Sequence, residues 1–410
     1  MLYSRMILKD IKKWLKRDEI IVLVGPRQSG KTSLMKLMEN DLKKEEKTFF
    51  FTLEDMEILS LLNETPKNIF KLIPNTESKI FVLLDEIQYL KNPSNFLKYI
   101  YDLYKEKIKL IVSGSSAFYI DKKFRDSLAG RKKIFTILPL NFQDFLIFKG
   151  REELIEKTEE IFSLNPSDTS LTFPEKKIIA ELINEFATFG SYPKVVLEKD
   201  PQIKKELLKE LVNSYIKKDI NESEISYPEK FLNLLKILSY RIGNLLNKNE
   251  LSSLIGFSTT TISNYLYIME KSFHLKLIPP FFSNTKKEIS KMPKIFFFDL
   301  GLRNYLLNNF SPLQSREDRG SVFENLVFKF LIDSYENDII RFWKKQSGTE
   351  VDFVIPSEKK AFEVKLNKKL FRRKQILSFL NHNKDFSVYL CYLNNDGIIQ
   401  TELLQIKENT

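Results

Sequence analysis

Ile20-Ile21-Val22-Leu23-Val24-Gly25-Pro26-Arg27-Gln28-Ser29-Gly30-Lys31-Thr32 is the stretch that decides the fold. Five apolar residues read as a buried strand. Residues 25–32 fit G-x-x-x-x-G-K-[ST], and Leu34, Met35, Leu37, Met38 and Leu42 form the stripe of a following helix. A strand, a glycine-bearing loop and a helix in that order surround an anion with main-chain N–H groups and a helix N-terminus. Gly25 to Thr32, with Ser33 beside them, are the expected phosphate contacts. Lys31 is expected to reach the outer phosphates, and the Thr32 hydroxyl to ligate Mg2+.

Outward from this loop, strand and helix patterns alternate to about residue 140. Thr48 to Leu53, Ile80 to Leu84, Leu110 to Val112 and Ile134 to Leu138 repeat the strand signal. Leu34 to Lys44 and Asn95 to Lys105 read as helices between them. Such alternation predicts an α/β domain with a parallel sheet. Ligands of such sheets sit at the C-terminal ends of the strands. Ile80 to Leu84 ends there in Asp85-Glu86. Asp85 is expected to support the Mg2+, and Glu86 to polarise an attacking water. Leu110 to Val112 runs into Ser113-Gly114-Ser115-Ser116, and Ser115 is the hydroxyl expected at the terminal phosphate. Arg131, after Leu128-Ala129-Gly130, is a candidate arginine finger toward a neighbouring copy of the chain. That role requires a homo-oligomer.

Composition narrows the chemistry. The chain has 410 residues, with 65 Lys and Arg against 54 Asp and Glu, a net charge of +11. An excess of positive charge favours an anionic partner such as DNA, although surplus lysine also keeps proteins soluble. Cys391 is the only cysteine, so no intrachain disulfide forms and a reducing, cytoplasmic setting is expected. His274 and His382 are the only histidines, too few for a zinc site or a histidine-based triad. Catalysis therefore rests on carboxylates, lysines, arginines and a hard cation. No apolar run reaches the length of a membrane span, and Met1 to Lys16 offers no secretory core.

The rest of the chain divides by pattern. Residues 1–150 are expected to be the nucleotide-binding core. Residues 151–227 are expected to be a helical lid, punctuated by Pro166, Pro174, Pro193 and Pro201, whose rearrangement carries the nucleotide state onward. Residues 228–298 read as a winged helix: Glu250 to Ile255, the turn Gly256-Phe257-Ser258, Thr259 to Lys271, then strands at His274 to Phe282 and Lys294 to Phe298. Ile262, Leu266, Met269 and Phe273 share its inner face. Thr260, Thr261, Asn264, Tyr267 and Lys271 are left for a nucleic-acid groove. A spacer or protein interface is the alternative.

Residues 299–410 carry a second set of carboxylates. Glu350 to Ile355 and Lys360 to Lys365 alternate as strands joined by Pro356 to Lys359. Pairing Ile355 with Lys360 sets Asp352 opposite Glu363, with Lys365 on the same face. Two carboxylates and a lysine so placed can bind Mg2+ beside a phosphodiester, and Glu324, on the helix Ser321 to Ile332, can complete the site. A plain hairpin with a charged outer face is the alternative. Lys368, Lys369, Arg372, Arg373 and Lys374 follow as a basic run suited to a phosphate backbone.

The segments GPRQSGKT (25–32), FVLLDEIQ (81–88), VSGSS (112–116), LAGR (128–131) and LPLNFQDFL (138–146) resemble a prokaryotic AAA+-like P-loop ATPase family. FGSYPKVV (189–196), FFFDLGLRNYL (296–306), GSVFENLVF (320–328), GTEVDFVI (348–355) and AFEVK (361–365) resemble its C-terminal half. The resemblance implies an ATPase that uses ATP and Mg2+. It also implies a C-terminal restriction-endonuclease-like domain of the PD-(D/E)xK type, with Asp352, Glu363, Lys365 and Glu324 as its site. The strand at 110–112 ends in serine here, where many AAA+ proteins carry asparagine. The overall expectation is an ATPase coupled to DNA binding or processing. The alternative is a regulatory ATPase that binds protein partners through an inactive nuclease-like domain.

Overall fold

The computed structural model describes residues 2–74, 78–114, 128–162, 164, 171–222, 225–281, 292–335, 339–345 and 348–404. They fall into two compact units, Met1–Pro139 with Lys271–Phe273, and Leu140–Glu270 with His274–Thr410.

The first unit is built on five parallel strands: β1 (Ile20–Val24), β2 (Thr48–Thr52), β3 (Ile80–Asp85), β4 (Ile108–Gly114) and β5 (Lys132–Thr136), in the order β2-β3-β4-β1-β5. Every residue of β1, β3 and β4 is buried, as continuous apolar runs in a doubly covered sheet should be. Helix α1 (Ile7–Lys12) buries Leu8 and Ile11. Helix α2 (Lys31–Leu42) lays Leu34, Met35 and Met38 on the core with β1 and β3 side chains. Helix α3 (Met56–Glu64) is capped by Asp55, and α4 (Pro93–Tyr104) by Asn92. Because β4 lies between β1 and β3, the loop after β1 and the end of β3 stand two strand spacings apart, about 10 Å.

Lys109, inside β4, is fully buried. Its ammonium donates to the carbonyls of Trp14, Arg17 and Glu19 at 2.8, 2.5 and 2.5 Å. Burial pushes its pKa down to about 8, so three carbonyls compensate only part of the lost hydration.

The second unit begins earlier than expected. Helix α5 (Phe142–Phe148), placed by sequence in the 1–150 core, belongs to it. Phe142 and Phe145 meet Phe186 edge-on at 5.3 and 5.2 Å, and Phe142 meets Phe330 at 6.2 Å. That aromatic cluster outweighs sequence proximity to β5. Helices α6 (Ile155–Phe162), α7 (Phe173–Phe189), α8 (Pro193–Leu197) and α9 (Pro201–Glu222) follow. Pro174, Pro193 and Pro201 each sit in a first helical turn, where a missing N–H costs nothing. Pro166 lies outside the described residues.

Next come α10 (Pro228–Tyr240), α11 (Lys248–Ile255) and α12 (Thr259–Lys271), with Gly256 left-handed at the end of α11. Ile262, Leu266 and Met269 are buried, while Thr260 and Asn264 are exposed. Strands β6 (Leu275–Ile278) and β7 (Lys294–Phe297) pair antiparallel. Phe282, the expected end of the first of these strands, lies outside the described residues.

Helices α13 (Leu300–Leu307) and α14 (Arg319–Ser334) precede a second sheet: β8 (Arg341–Lys344), β9 (Glu350–Ile355), β10 (Lys360–Lys365), β11 (Ser387–Leu393) and β12 (Ile399–Leu403). Its order is β12-β11-β10-β9-β8, with only β10 and β11 parallel. Helix α15 (Arg373–Leu380) leads into β11.

Residues 299–304, Asp-Leu-Gly-Leu-Arg-Asn, look catalytic in type but are spent on packing. The Asp299 carboxylate accepts from Leu302 N at 2.9 Å, capping α13, and from Ser191 N and Oγ at 2.7 and 3.0 Å. A Cβ on Gly301 would lie 2.0 Å from the Phe189 carbonyl oxygen, so only glycine fits. Arg303 donates to Ser239 O at 2.9 Å and pairs with Asp318 at 2.6 Å. Asn304 donates to the carbonyls of Ala187 and Thr188 at the end of α7, both at 2.9 Å. Asp299→Ala strands three buried donors. It should lower unfolding free energy by about 2–4 kcal/mol, read from the urea midpoint of the full chain; an unchanged midpoint contradicts the assignment.

Candidate functional site

The phosphate loop is shaped by two local constraints. Ile137 N donates to Val24 O at 2.6 Å, and a Cβ on Gly25 would stand 2.2 Å from the Ile137 oxygen. Gln28 and Gly30 take positive φ, 59° and 95°, turning the chain into α2. Behind the loop, Arg5 donates to Ser29 O at 3.0 Å and to Leu138 O at 3.2 Å. Pro26 is buried, Arg27 half-buried, and Gln28 and Ser33 exposed. The Ser29 hydroxyl is buried and has no hydrogen-bond partner among the described residues.

Lys31 is buried, and its ammonium donates to the carbonyls of Gly25 and Pro26 at 2.9 and 2.8 Å. Burial pushes its pKa down to about 8. Glu86 and Asp85 oppose the fall, and Arg27 adds to it. Thr32 Oγ1 donates to Asp85 Oδ2 at 2.6 Å, and the Ser113 hydroxyl donates to the other oxygen, Oδ1. Ser113 Oγ in turn accepts from Glu86 N at 3.1 Å. Glu86 adopts a left-handed backbone, φ 60° and ψ 48°, a conformation a non-glycine residue holds only when its surroundings impose it. The Gln88 amide donates to Glu86 Oε2. Lys31, Thr32, Asp85 and Glu86 are thus brought together at one sheet edge. The oxygens of Thr32 and Asp85 are hard donors of the kind Mg2+ takes.

Ser115, the hydroxyl expected at the terminal phosphate, lies outside the described residues. The hydroxyl that reaches Asp85 is that of Ser113. The signal was in the register: Leu84 pairs with Val112, which carries Ser113 beside Asp85. Arg131 is not brought to the loop of its own chain. It immediately precedes β5, so it sits at the N-terminal edge of the sheet, and its guanidinium grips Asp102 with contacts of 2.6 and 3.3 Å.

In the second unit the hairpin pairs Ile355 with Lys360, Val354 with Ala361 and Phe353 with Phe362, the register expected. Beyond them, the Asp352 carboxylate turns to accept from Val364 N at 2.8 Å. Glu324, Asp352, Glu363 and Lys365 do converge, but around ammonium groups. Lys294 Nζ lies 2.9 Å from Glu324 Oε1 and 3.5 Å from Asp352 Oδ1, and pairs with Glu350 Oε1. Lys365 Nζ lies 2.5 Å from Glu363 Oε1 and 3.7 Å from Asp352 Oδ2. Burial pushes Glu324 up to about 7; Lys294 opposes this and Asp352 reinforces it. Burial and Asp352 push Glu363 up to about 8 against the pull of Lys365. Burial alone would lower Lys294; Glu324, Asp352 and Glu350 outweigh it and raise its pKa.

Among the described residues no group of three or more Asp, Glu, His or Cys side chains is spaced to hold a metal ion. The expected metal set of Asp352, Glu363 and Glu324 is therefore corrected: the carboxylates are neighbours, and lysine nitrogens lie between them. Sequence reading missed Lys294 and Glu350. Glu350 is two residues from Asp352 and so shares its face. Lys294 was legible only as a charge heading the apolar run Ile295-Phe296-Phe297.

Residues 17–146 match the AAA domain family. Residues 180–313 and 319–406 match two domains of unknown function, DUF8612 and DUF4143. The AAA match supports nucleotide binding and hydrolysis by the first unit. Two uncharacterized proteins of Methanocaldococcus jannaschii are similar along most of the chain. MJ1544 is 29% identical over 368 residues, 87% of this chain and 76% of that protein. MJ1637 is 26% identical over 398 residues, 92% of this chain and 82% of that protein. Among solved structures, the Thermotoga maritima RuvB Holliday junction branch migration motor overlaps at a TM-score of 0.33. It is 16% identical, covering 67% of this chain and 89% of that one. No helix among the described residues is long and apolar enough to cross a membrane.

Nucleotide phosphates should draw the Lys31 pKa upward from about 8. The free protein then loses this proton at a lower pH than the complex does. Above pH 8 binding takes up a proton and affinity falls as pH rises. Calorimetry of ATP binding in buffers of different ionisation enthalpy reads that uptake, and a Lys31→Met variant should lose it.

Proposed function

We propose that the first unit is a Mg2+-dependent ATPase, and that the second unit couples its nucleotide state to nucleic-acid binding. The observation that carries the first part is the Asp85 carboxylate shared by Thr32 and Ser113, with Glu86 next in the chain. Lys31 exchanges the carbonyls of Gly25 and Pro26 for phosphate oxygens, a trade between acceptors that leaves the charge in place. The main-chain amides of the loop and the first turn of α2 complete the cradle. Thr32 and Asp85 would hold Mg2+, which neutralises charge on the phosphates. Glu86 takes a proton from the attacking water, its side chain oriented by Gln88 and its backbone by Ser113.

The second part rests on charge. The helix-turn-helix of α11 and α12, with the strand pair β6 and β7, is read as a winged helix that presents Thr260 and Asn264 outward. Arg372, Arg373 and Lys374 are exposed at the first turn of α15, and Lys368 and Lys369 are exposed just before it. Lys368 pairs with Glu402; Arg372, Arg373 and Lys374 sit at a helix N-terminus, where they oppose its dipole and a polyanion would offset the repulsion. The rival reading is a regulatory ATPase whose second unit docks on a protein partner.

Lys31→Ala should abolish ATP turnover. Glu86→Gln should keep ATP affinity and lose turnover by about 100-fold or more. A Glu86→Gln protein that turns over ATP at the wild-type rate removes Glu86 from the mechanism. Duplex DNA affinity should fall with salt. Replacing Arg372, Arg373 and Lys374 by alanine should flatten that slope by about one unit per lost phosphate contact. No DNA binding even at low salt favours the protein-partner reading.

A further inference from the structure

The restriction-endonuclease-like resemblance implies a divalent metal among Asp352, Glu363 and Glu324, and these residues do not fit one. The misfit has a specific cause. Lys294, on β7, is 2% exposed, and its ammonium is in contact with three carboxylates at once: Glu324 from α14, and Glu350 and Asp352 from β9. A cation held by three carboxylates from two elements is the situation a metal creates, here met by a side chain of the same fold.

We infer that Lys294 is the resident cation of this cluster, so that the domain takes up no divalent metal and cleaves no phosphodiester as folded. The reading deepens the binding role given above to the second unit, and is independent of the ATPase assignment.

Three observations make Lys294 a fixed occupant. Asn325, fully buried and next to Glu324, clamps β7 to α14: Phe297 N donates to its Oδ1 at 2.8 Å, and its Nδ2 donates to Phe297 O at 2.9 Å. The residues flanking Lys294 are tied on the other side, with Leu246 N donating to Pro293 O and Gly243 N to Ile295 O, both at 2.8 Å. Glu324 fills the space that a side chain at residue 243 would need; a Cβ there would stand 2.8 Å from Glu324 Oε2. Backbone, clamp and carboxylate therefore hold the ammonium in one place.

One carboxylate oxygen nevertheless lacks what a metal would supply. Glu363 Oε2 is buried with no hydrogen-bond partner among the described residues, although Lys365 serves its other oxygen. Removing the Lys294 charge leaves Glu324, Glu350 and Asp352 without their counter-ion. They must then shift from a placement that holds no metal, and a divalent cation is the replacement they should draw in, with Glu363 as a further oxygen donor.

The test uses the full chain without nucleotide and after EDTA treatment. An Asp85→Asn background silences the phosphate-loop ligand. MnCl2 is titrated and free Mn2+ is followed by electron paramagnetic resonance. With Lys294 present, the ion should stay free. Lys294→Met should bind one Mn2+ per chain, gain melting temperature with it, and lose both effects when Glu363→Gln is added. A Lys294→Met protein that folds only with Mn2+ supports the same conclusion. One Mn2+ bound with Lys294 in place and lost in Glu363→Gln overturns it, as does a folded Lys294→Met protein that binds none. If Lys294→Met fails to fold under all conditions, titrating the Lys294 protein against its Glu363→Gln variant decides the question alone.

Discussion

A single carboxylate organises the nucleotide edge. Asp85 ends β3 and gives one oxygen to Thr32 at the start of α2 and the other to Ser113 on β4. Loop, helix and two strands are thereby held in one relation without nucleotide. The strand order makes this possible. With β4 between β1 and β3, about 10 Å separates the loop's strand from Asp85, and the helix that leaves the loop closes the gap. Glu86 inherits its position from the same arrangement. Its backbone N–H is held by Ser113, and its left-handed backbone turns the chain out of the strand.

Buried lysines show how partner chemistry sorts fixed groups from exchangeable ones. Lys31 and Lys109 are served by neutral carbonyls, and burial drives both pKa values down to about 8. Their charge is incompletely compensated. At Lys31, buried at the start of α2, phosphate oxygens would be better acceptors than the carbonyls of Gly25 and Pro26. Lys294 is surrounded by carboxylates, which overcome burial and raise its pKa. Coulomb attraction at low effective dielectric makes that ammonium hard to remove. One residue type thus meets neutral carbonyls in the first unit and carboxylates in the second.

The same contrast governs the polar residues of the second unit. Asp299, Arg303 and Asn304 are buried, but each is consumed by backbone groups, by neighbouring side chains or by the ion pair with Asp318. They join the end of α7 to the start of α13. Their residue types suggest chemistry, and their environment assigns them to architecture.

Sequence by itself determined the features whose signal is local. The spacing from Gly25 to Thr32 specified strand, loop and helix, because glycine geometry and helix periodicity act over a few residues. The apolar run before Asp85 specified a buried strand with acids at its end. The alternation through Glu350–Ile355 and Lys360–Lys365, with a four-residue link, fixed the hairpin register, since strand period and turn length leave little choice. Tertiary structure decided the rest. It chose Ser113 as the partner of Asp85 through inter-strand register, turned Arg131 to Asp102 at the far edge of its sheet, and took α5 into the second unit through Phe186 and Phe330. It also brought Lys294, 30 residues from Glu324 and 58 from Asp352, into contact with both. No local pattern encodes that meeting. It arises because Asn325 locks β7 against α14, and burial then forces unlike charges to find one another.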